Sequence, residues 1–316
     1  MNSDAFVQLA LNTLSCSQKE LAIRLGVSPT QISKWKNGEH LSSEMEEKLR
    51  AISNIGDKDP WFVIWAGSLE KANKWERLIH YVAESARDGA ETGYNTVPLD
   101  DEDGTLCWGT FHVLREIGIT LPNDFPKELD IDYEKIDSEN FWTLIENNPY
   151  SAVIYEIYMS LNDVYGFYVA YIAELIDDDD LNLSFTSADD IELNLMSLAV
   201  CKIAIDSEFA PRIGEFRRRI KKDYEERLTF VKDRAFRAGV PLRAELLDLV
   251  YSSHDELGHE ADAESLGINS SRVHPDIYMN ELLVGMRMIH QVLPAIMKKL
   301  EIYEEFQLDE SKLRIR

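Results

Sequence analysis

Histidines and carboxylates cluster in one short stretch near the end of the chain, residues 254–260, which reads HDELGHE. Imidazole and carboxylate groups are the common ligands of a hydrolytic zinc ion and the common general acids and bases. The order of residues is neither H-E-x-x-H nor its inverse. His254 and His259 are five residues apart, a spacing that turns their side chains about 140° away from each other on a helix. We therefore interpret the stretch as a polar loop, with a metallohydrolase as the weaker hypothesis.

The remaining candidate groups are acidic runs and three cysteines. Residues 177–180 are four consecutive aspartates, which do not alternate as a calcium loop does, so a solvated loop is favoured over a divalent-ion site. Cys16, Cys107 and Cys201 are isolated and lack the spacing of a metal site. They predict reduced, buried thiols and a cytoplasmic protein. Because no phosphate-binding loop or nucleophile motif is evident either, we expect no enzymatic activity, no cofactor and no metal.

The most informative stretch is SQKELAIRLGVSPTQISKWKNG, residues 17–38, which predicts two short helices joined by a three-residue turn. The residues that would cap, turn and end these helices fall at the expected offsets: Ser17, Glu20, Gly26, Ser28, Pro29, Gln31 and Gly38. The apolar residues between them have helical spacing and predict the inward faces: Leu21, Ala22, Leu25, Ile32 and Trp35.

Through SQKELA, GVS and IS-W-NG, residues 1–56 resemble the Cro/cI-type (XRE) helix-turn-helix domain of phage repressors and bacterial regulators. The resemblance implies a lambda-repressor-like fold whose second motif helix, residues 29–37, lies in the major groove of double-stranded DNA. The positions that match DNA contacts of the family are Gln18, Ser28, Pro29, Thr30, Gln31, Ser33, Lys34, Lys36 and Asn37. The alternative is a helix-turn-helix kept as a protein-docking fold.

The resemblance also assigns a contact to individual positions. Lys34 would reach guanine O6 and N7, and Thr30 would meet a thymine methyl group or a phosphate. Gln18 opens the first motif helix, where the family commonly holds a phosphate. Pro29 departs from the amide side chains often found at its position, so direct base readout is expected to be limited.

The charge of the chain is unusual for a DNA-binding protein. The formal net charge is −24, whereas residues 1–56 hold six basic and six acidic residues, so the excess acid lies downstream. An acidic body repels phosphate over roughly 8 Å in physiological salt, and one near-neutral domain binds DNA weakly. We therefore expect a homo-oligomer that places two copies on a two-fold site.

Helical periodicity dominates the rest of the chain and predicts an all-α protein, with a helical body over residues 57–316. Ser43 and Glu46 predict a capping box, and single helices are predicted over residues 61–86, 149–176, 191–209, 212–237 and 241–257. A last helix from Pro275 is expected to kink at Pro294. Residues 150–176 are too charged for a comfortable membrane span, so no membrane association is expected. The tryptophan stripe of residues 61–75 predicts core packing, with an aromatic ligand platform as the alternative.

A second basic segment stands out in this acidic body. Residues 212–243 contain eleven basic and five acidic residues, a net +6. The cations that would form a secondary basic surface are Arg217, Arg218, Arg219, Lys221 and Lys222. Three interpretations compete: a further DNA contact, pairing with acidic segments of this or a neighbouring subunit, and a solvated helix face.

Two functions follow as hypotheses. The first is a sequence-specific DNA-binding transcriptional regulator, a repressor, which dimerises through its helical body and responds to a small-molecule or protein effector. The second is an interaction protein of a phage-related or toxin–antitoxin-like system, whose acidic body binds a basic partner while DNA binding is secondary. An enzyme hidden in the body, built around His254, is the weakest hypothesis.

Overall fold

The computed structural model describes residues 3–90, 92–133, 135–136, 138–238, 285–286, 289 and 292–303. These residues form no β-strand, and the predicted all-α class is confirmed. The helices follow in this order: α1 Ser3–Leu14, α2 Gln18–Leu25, α3 Pro29–Lys36, α4 Ser43–Ser53, α5 Pro60–Ala66, α6 Leu69–Asp88, α7 Leu106–Glu116, α8 Ser138–Asn147, α9 Pro149–Tyr168, α10 Glu174–Ile176, α11 Asp190–Leu193, α12 Leu195–Lys202 and α13 Ile213–Ala238.

Helix α1 is the centre of the N-terminal helices. It packs against α3 and α4 and also against α5, which lies beyond the predicted boundary at residue 56. Phe6, Leu9 and Ala10 form the apolar face of α1 and are buried. The hydrophobic core therefore continues from the first helix into the body.

The turn at residues 56–59, which the sequence marks as the boundary, is held by Arg50 of α4. The guanidinium of Arg50 donates to the carbonyl oxygens of Gly56, at 2.9 Å, and Lys58, at 3.0 Å. It also lies 4.8 Å from the ring centroid of Phe6. Lys58 then pairs with Glu76 of α6 at 2.9 Å. The connection between the first four helices and the body is thus held by side chains of both α4 and α6.

The prediction of a single helix over residues 61–86 is wrong, because the helix is interrupted between α5 and α6. Gly67 has a φ of 87°, in the left-handed region that favours glycine, and ends α5. Ser68 then caps α6, its hydroxyl accepting from the amide of Lys71 at 3.2 Å. The apolar stripe runs through this break, so periodicity alone does not reveal it.

Two further predictions are wrong in detail. Ser42, not Ser43, caps α4, because Ser42 has the extended backbone of a cap and its hydroxyl accepts from the amide of Met45 at 3.4 Å.

The helix predicted over residues 191–209 is α11 followed by α12, separated at Asn194. The side-chain amide of Asn194 donates to the carbonyl oxygen of Asp190 at 2.6 Å and so satisfies a backbone acceptor of α11. After α12 the chain is extended at the buried Ile203.

The core of the body is built around α6 and α9. Trp75 of α6 is almost fully buried and makes edge-to-face contacts with Phe111, Phe125 and Tyr150, at centroid distances of 5.5, 5.0 and 6.1 Å. Helix α9 also packs against α8 and α12. As predicted, the helical path that starts at Pro149 reaches Ile176, but it includes a π-helical turn, Val169–Ala173.

Helix α13 matches its prediction closely. Its apolar stripe is buried from one end to the other: Ile213, Phe216, Ile220, Tyr224, Leu228, Val231 and Ala235. The helix predicted over residues 241–257, the HDELGHE stretch and much of the last helix lie outside the described residues. In the described part of the chain, no helix combines the length and apolar character needed to cross a membrane.

Candidate functional site

The connection between α2 and α3 is set by local hydrogen bonds. The hydroxyl of Ser17 accepts from the amide of Glu20 at 3.3 Å, and the Glu20 carboxylate accepts from the amide of Ser17 at 2.7 Å, which completes the predicted capping box. Gly26 ends α2 with a φ of 69°. Ser28 caps α3 by accepting from the amide of Gln31 at 3.2 Å, and Pro29 is the first residue of that helix. The chain thus turns between the two helices within three residues.

Helix α3 has one buried face and one exposed face. Ile32 and Trp35 are buried, as are Leu21 and Leu25 of α2. The opposite face is open to solvent through Pro29, Thr30, Ser33 and Lys34. Because the buried side chains of α3 lie on its apolar face, most of its polar face remains available for an external partner.

The nine predicted contact residues lie on α2 and α3 or directly beside α3. Seven are exposed: Ser28, Pro29, Thr30, Ser33, Lys34, Lys36 and Asn37. Gln18 and Gln31 are half-buried. The hydroxyl of Ser33 donates to Oε1 of Gln18 at 3.5 Å, which joins the start of α2 to the outer face of α3. Helix α3 ends at Lys36, so the predicted helix over residues 29–37 is one residue too long and Asn37 is the C-cap.

The charges at this surface are partly balanced. Nζ of Lys34 lies 3.3 Å from Oε2 of Glu39, and both side chains are about half exposed. Glu20 has its pKa lowered, chiefly because its carboxylate accepts hydrogen bonds from the backbone and hydroxyl of Ser17. An exposed pair such as Lys34–Glu39 is worth little in water, so an anionic ligand competes for the lysine at small cost.

The secondary basic surface on α13 is arranged differently. The guanidinium of Arg217 donates to the carbonyl oxygen of Ile203, and Arg219 donates to the carboxylate of Glu116 on α7. Lys221 and Lys222 lie within 4.0 and 3.7 Å of Glu225 and Glu226, one turn further along the helix. Arg218 is exposed. Most of these cations therefore face groups of their own chain.

Two tryptophans of the predicted stripe form a partly exposed aromatic stack. The rings of Trp61 and Trp65 stack at 5.8 Å, and Trp65 lies 6.4 Å from the ring of His112. His112 in turn stacks on Trp108 at 4.9 Å. The stack joins α5 to α7, whereas Trp75 lies in the core, so the predicted stripe divides between two environments.

A cluster that sequence spacing missed lies between α6 and α7. His80, Asp101 and Cys107 place a ring nitrogen, a carboxylate oxygen and a sulfur within 4.8 Å of one another. The hydrogen bond to Asp101 is the main reason that the pKa of His80 is raised, whereas burial raises the pKa of the Cys107 thiol. These residues follow no short motif, so a survey of local patterns gives no signal for them.

Comparison of the chain with protein-family models, with curated proteins and with solved structures finds no match.

Proposed function

We propose that this chain is a sequence-specific DNA-binding regulator of transcription, a repressor that acts in the cytoplasm as a homodimer. The observation that carries the proposal is the two-sided character of α3. Ile32 and Trp35 anchor one face, and the opposite face exposes Thr30, Ser33 and Lys34 on a helix narrow enough for the major groove. The resemblance of residues 1–56 to the Cro/cI-type domain supports the same assignment.

Both ends of this surface suit a phosphate backbone. Gln18 lies at the start of α2, where backbone amides and the helix dipole favour an anion. At the other end, Lys36 and Asn37 are exposed where α3 ends. A helix that presents base-directed groups in its middle and backbone-directed groups at its margins is fixed in register on the duplex.

A dimer would compensate for the near-neutral charge of residues 1–56, because two copies would bind the DNA together. Near the C-terminal end, exposed apolar side chains follow one another at alternating steps of three and four residues as far as Leu300, where the helix ends. These side chains are 46 to 61% exposed: Met286, Ile289, Leu293, Ile296 and Leu300. A 3.5-residue repeat is the pattern of two helices wound together. We therefore assign this stripe to pairing with a second copy, which would place two α3 helices on successive major grooves.

The DNA-binding step is tested by fluorescence anisotropy with duplexes tiled over the DNA around the gene of this protein, at low and moderate salt. A preferred duplex is expected, and Lys34→Ala should weaken its binding by about 1–3 kcal/mol. Lys48→Ala is the matched control, because Lys48 on α4 is similarly exposed and paired with Glu44 but lies off α3. Equal affinity for every duplex at both salt concentrations contradicts the proposal.

The pairing step is tested by light scattering of the full chain. The wild-type protein is expected to have the mass of a dimer, and Ile296→Glu should shift it towards the monomer. Ala295→Glu adds the same charge at a neighbouring exposed residue that is off the stripe, and it should leave the mass unchanged. A monomeric wild-type protein contradicts this part of the proposal.

The acidic body supports a second candidate function, the binding of a basic protein partner. Asp177, Asp179 and Asp180 are exposed in the loop after α10. In this view the chain belongs to a phage-related or toxin–antitoxin-like pair and reads DNA secondarily. Capture of a stoichiometric basic protein from the native host, lost after these aspartates are changed to asparagine, favours this function. A small-molecule effector of the regulator would instead change DNA affinity without a protein partner.

A further inference from the structure

We propose that His80, Asp101 and Cys107 form a binding site for a transition-metal ion of the Zn²⁺ class. Nε2 of His80 lies 2.8 Å from Oδ2 of Asp101 and 3.9 Å from Sγ of Cys107, and the three donor atoms lie within 4.8 Å of one another. The proposal is independent of DNA binding.

The distances between the donors are close to those of a tetrahedral site. Zn–N and Zn–O bonds of about 2.0–2.1 Å and a Zn–S bond of about 2.3 Å place N and O about 3.3 Å apart, and N and S about 3.6 Å apart. In the structure the first pair is closer than this and the second is slightly wider. The carboxylate oxygen and the sulfur lie within 4.8 Å of each other, where a tetrahedral site would hold them about 3.6 Å apart. Rotation of the side chains would have to close these differences to admit the ion.

The surrounding elements hold the donors in place. Asp101 uses its second carboxylate oxygen to accept from the amide of Leu106 at 2.7 Å, so the start of α7 fixes the orientation of the carboxylate. Such a second hydrogen bond is typical of metal-ligating carboxylates. Cys107 is buried in the first turn of α7, whereas the His80 side chain on α6 is 48% exposed. The His80 side chain is therefore the donor through which an ion would first be met from solvent.

The donor set selects the class of ion. A thiolate is a poor ligand for Mg²⁺ and Ca²⁺, whereas imidazole, carboxylate and thiolate together suit Zn²⁺ and its substitute Co²⁺. A thiolate and a carboxylate also balance the charge of a divalent ion. Glu76 lies one turn before His80 on α6, but Lys58 pairs with it, so their charges largely offset each other near His80 and Cys107. Binding would displace the proton of Cys107, and three protein ligands leave a fourth position for water.

The test uses the full chain, stripped of metal by a chelator, and Co²⁺ as the probe. The wild-type protein is expected to bind one equivalent and to develop a thiolate-to-cobalt charge-transfer band, which added Zn²⁺ removes. Cys107→Ser should abolish the band. Cys201→Ser and Cys16→Ser should retain it, because Cys201 and Cys16 are not part of the cluster. A histidine-rich site elsewhere in the chain would give no thiolate band, so the signal reports on sulfur.

Circular dichroism of each metal-free variant shows whether the helices are retained. Because Cys107 is buried, His80→Gln provides a second test at a more exposed residue, and it should weaken Zn²⁺ binding by at least about tenfold. His112→Gln is the matched control and should leave the affinity unchanged. Absence of a band in the wild-type protein, its persistence in Cys107→Ser, or unchanged affinity in a folded His80→Gln protein would overturn the proposal.

Discussion

Helices α3 and α13 both carry clustered cations but present them in opposite ways. Helix α3 has two lysines, Lys34 and Lys36, on a short helix whose polar face is exposed. Helix α13 has many more, but most face groups of the same chain, as in the contacts of Arg217 with Ile203 and of Arg219 with Glu116. The number of basic residues in a segment therefore says little about how many can meet a phosphate.

The difference arises from what surrounds each helix. On α3, Lys34 pairs with Glu39, but both side chains are about half exposed. Near α13, α7 and the start of α11 supply carboxylates, and Arg227 lies 4.0 Å from Asp190. Because the body is strongly acidic, a basic helix packed within it is neutralised by its neighbours. Among the three interpretations of the α13 segment, this arrangement favours pairing within the chain. On α3, the exposed Lys34–Glu39 pair is weak enough for an external anion to replace Glu39.

The largest expected effect comes from removing the support beneath the exposed face of α3. Trp35→Ala leaves a cavity under that face, because Trp35 is only 5% exposed, and should lower the free energy of unfolding by about 3–5 kcal/mol. The measurement is urea unfolding followed by circular dichroism. The matched control is Ile23→Ala on α2, where the side chain is 72% exposed, and its effect should stay within about 0.5 kcal/mol. Similar losses in the two variants would show that α3 is not anchored through this face.

The second prediction compares the two basic helices directly in DNA binding. The double variant Arg218→Ala, Lys222→Ala on α13 should leave DNA affinity within about 0.5 kcal/mol of the wild type, whereas Lys34→Ala should cost about 1–3 kcal/mol. A cation that contacts phosphate also contributes about 0.9 to the slope of log K against log salt. Anisotropy titrations at several salt concentrations give both quantities. If the α13 double variant reduced the slope of log K against log salt, α13 would contact the DNA, and the proposed difference between α3 and α13 would be wrong.

A smaller effect is expected from the cap that starts α3. Ser28→Ala removes the acceptor for the amide of Gln31 and should lower the free energy of unfolding by about 1 kcal/mol. Ser43→Ala is the control, because Ser43 lies in the first turn of α4 while Ser42 provides the cap. Thermal unfolding measures both variants. If Ser43→Ala destabilised the protein more than Ser28→Ala, the assignment of the caps would be incorrect.

The smallest expected effect is on the free energy of unfolding at acid pH. The pKa of Glu20 is lowered from its ordinary value of 4.5, chiefly by the hydrogen bond from the backbone of Ser17. The folded protein therefore holds the charged form more strongly, and this contribution to stability is present above pH 4.5 and lost as the pH falls through the lowered pKa. Unfolding curves of the wild-type protein and of Glu20→Gln should differ at neutral pH and converge in acid. A difference that grows in acid would contradict this sign.

The sequence by itself determined the features whose physical causes lie within about four residues. The capping box at Ser17, the left-handed Gly26 and the buried Ile32 and Trp35 were all predictable, because backbone amides near a helix end are satisfied locally and the helical repeat selects one face. The buried stripe of α13 was predictable for the same reason. The break at Gly67 was missed because the apolar period continues across it.

Only the tertiary structure decided which distant groups meet. Arg219 and Glu116 are 103 residues apart in the chain, and His80 and Cys107 are 27 apart, yet each pair is in contact. Such pairs depend on how α6, α7 and α13 pack, and helix packing is set by the shapes of many side chains at once. Periodicity identifies the face that each helix buries, but not the neighbour that covers it. For this reason the exposed face of α3 could be predicted from the sequence, whereas the pairing of α13 and the His80–Asp101–Cys107 cluster could not.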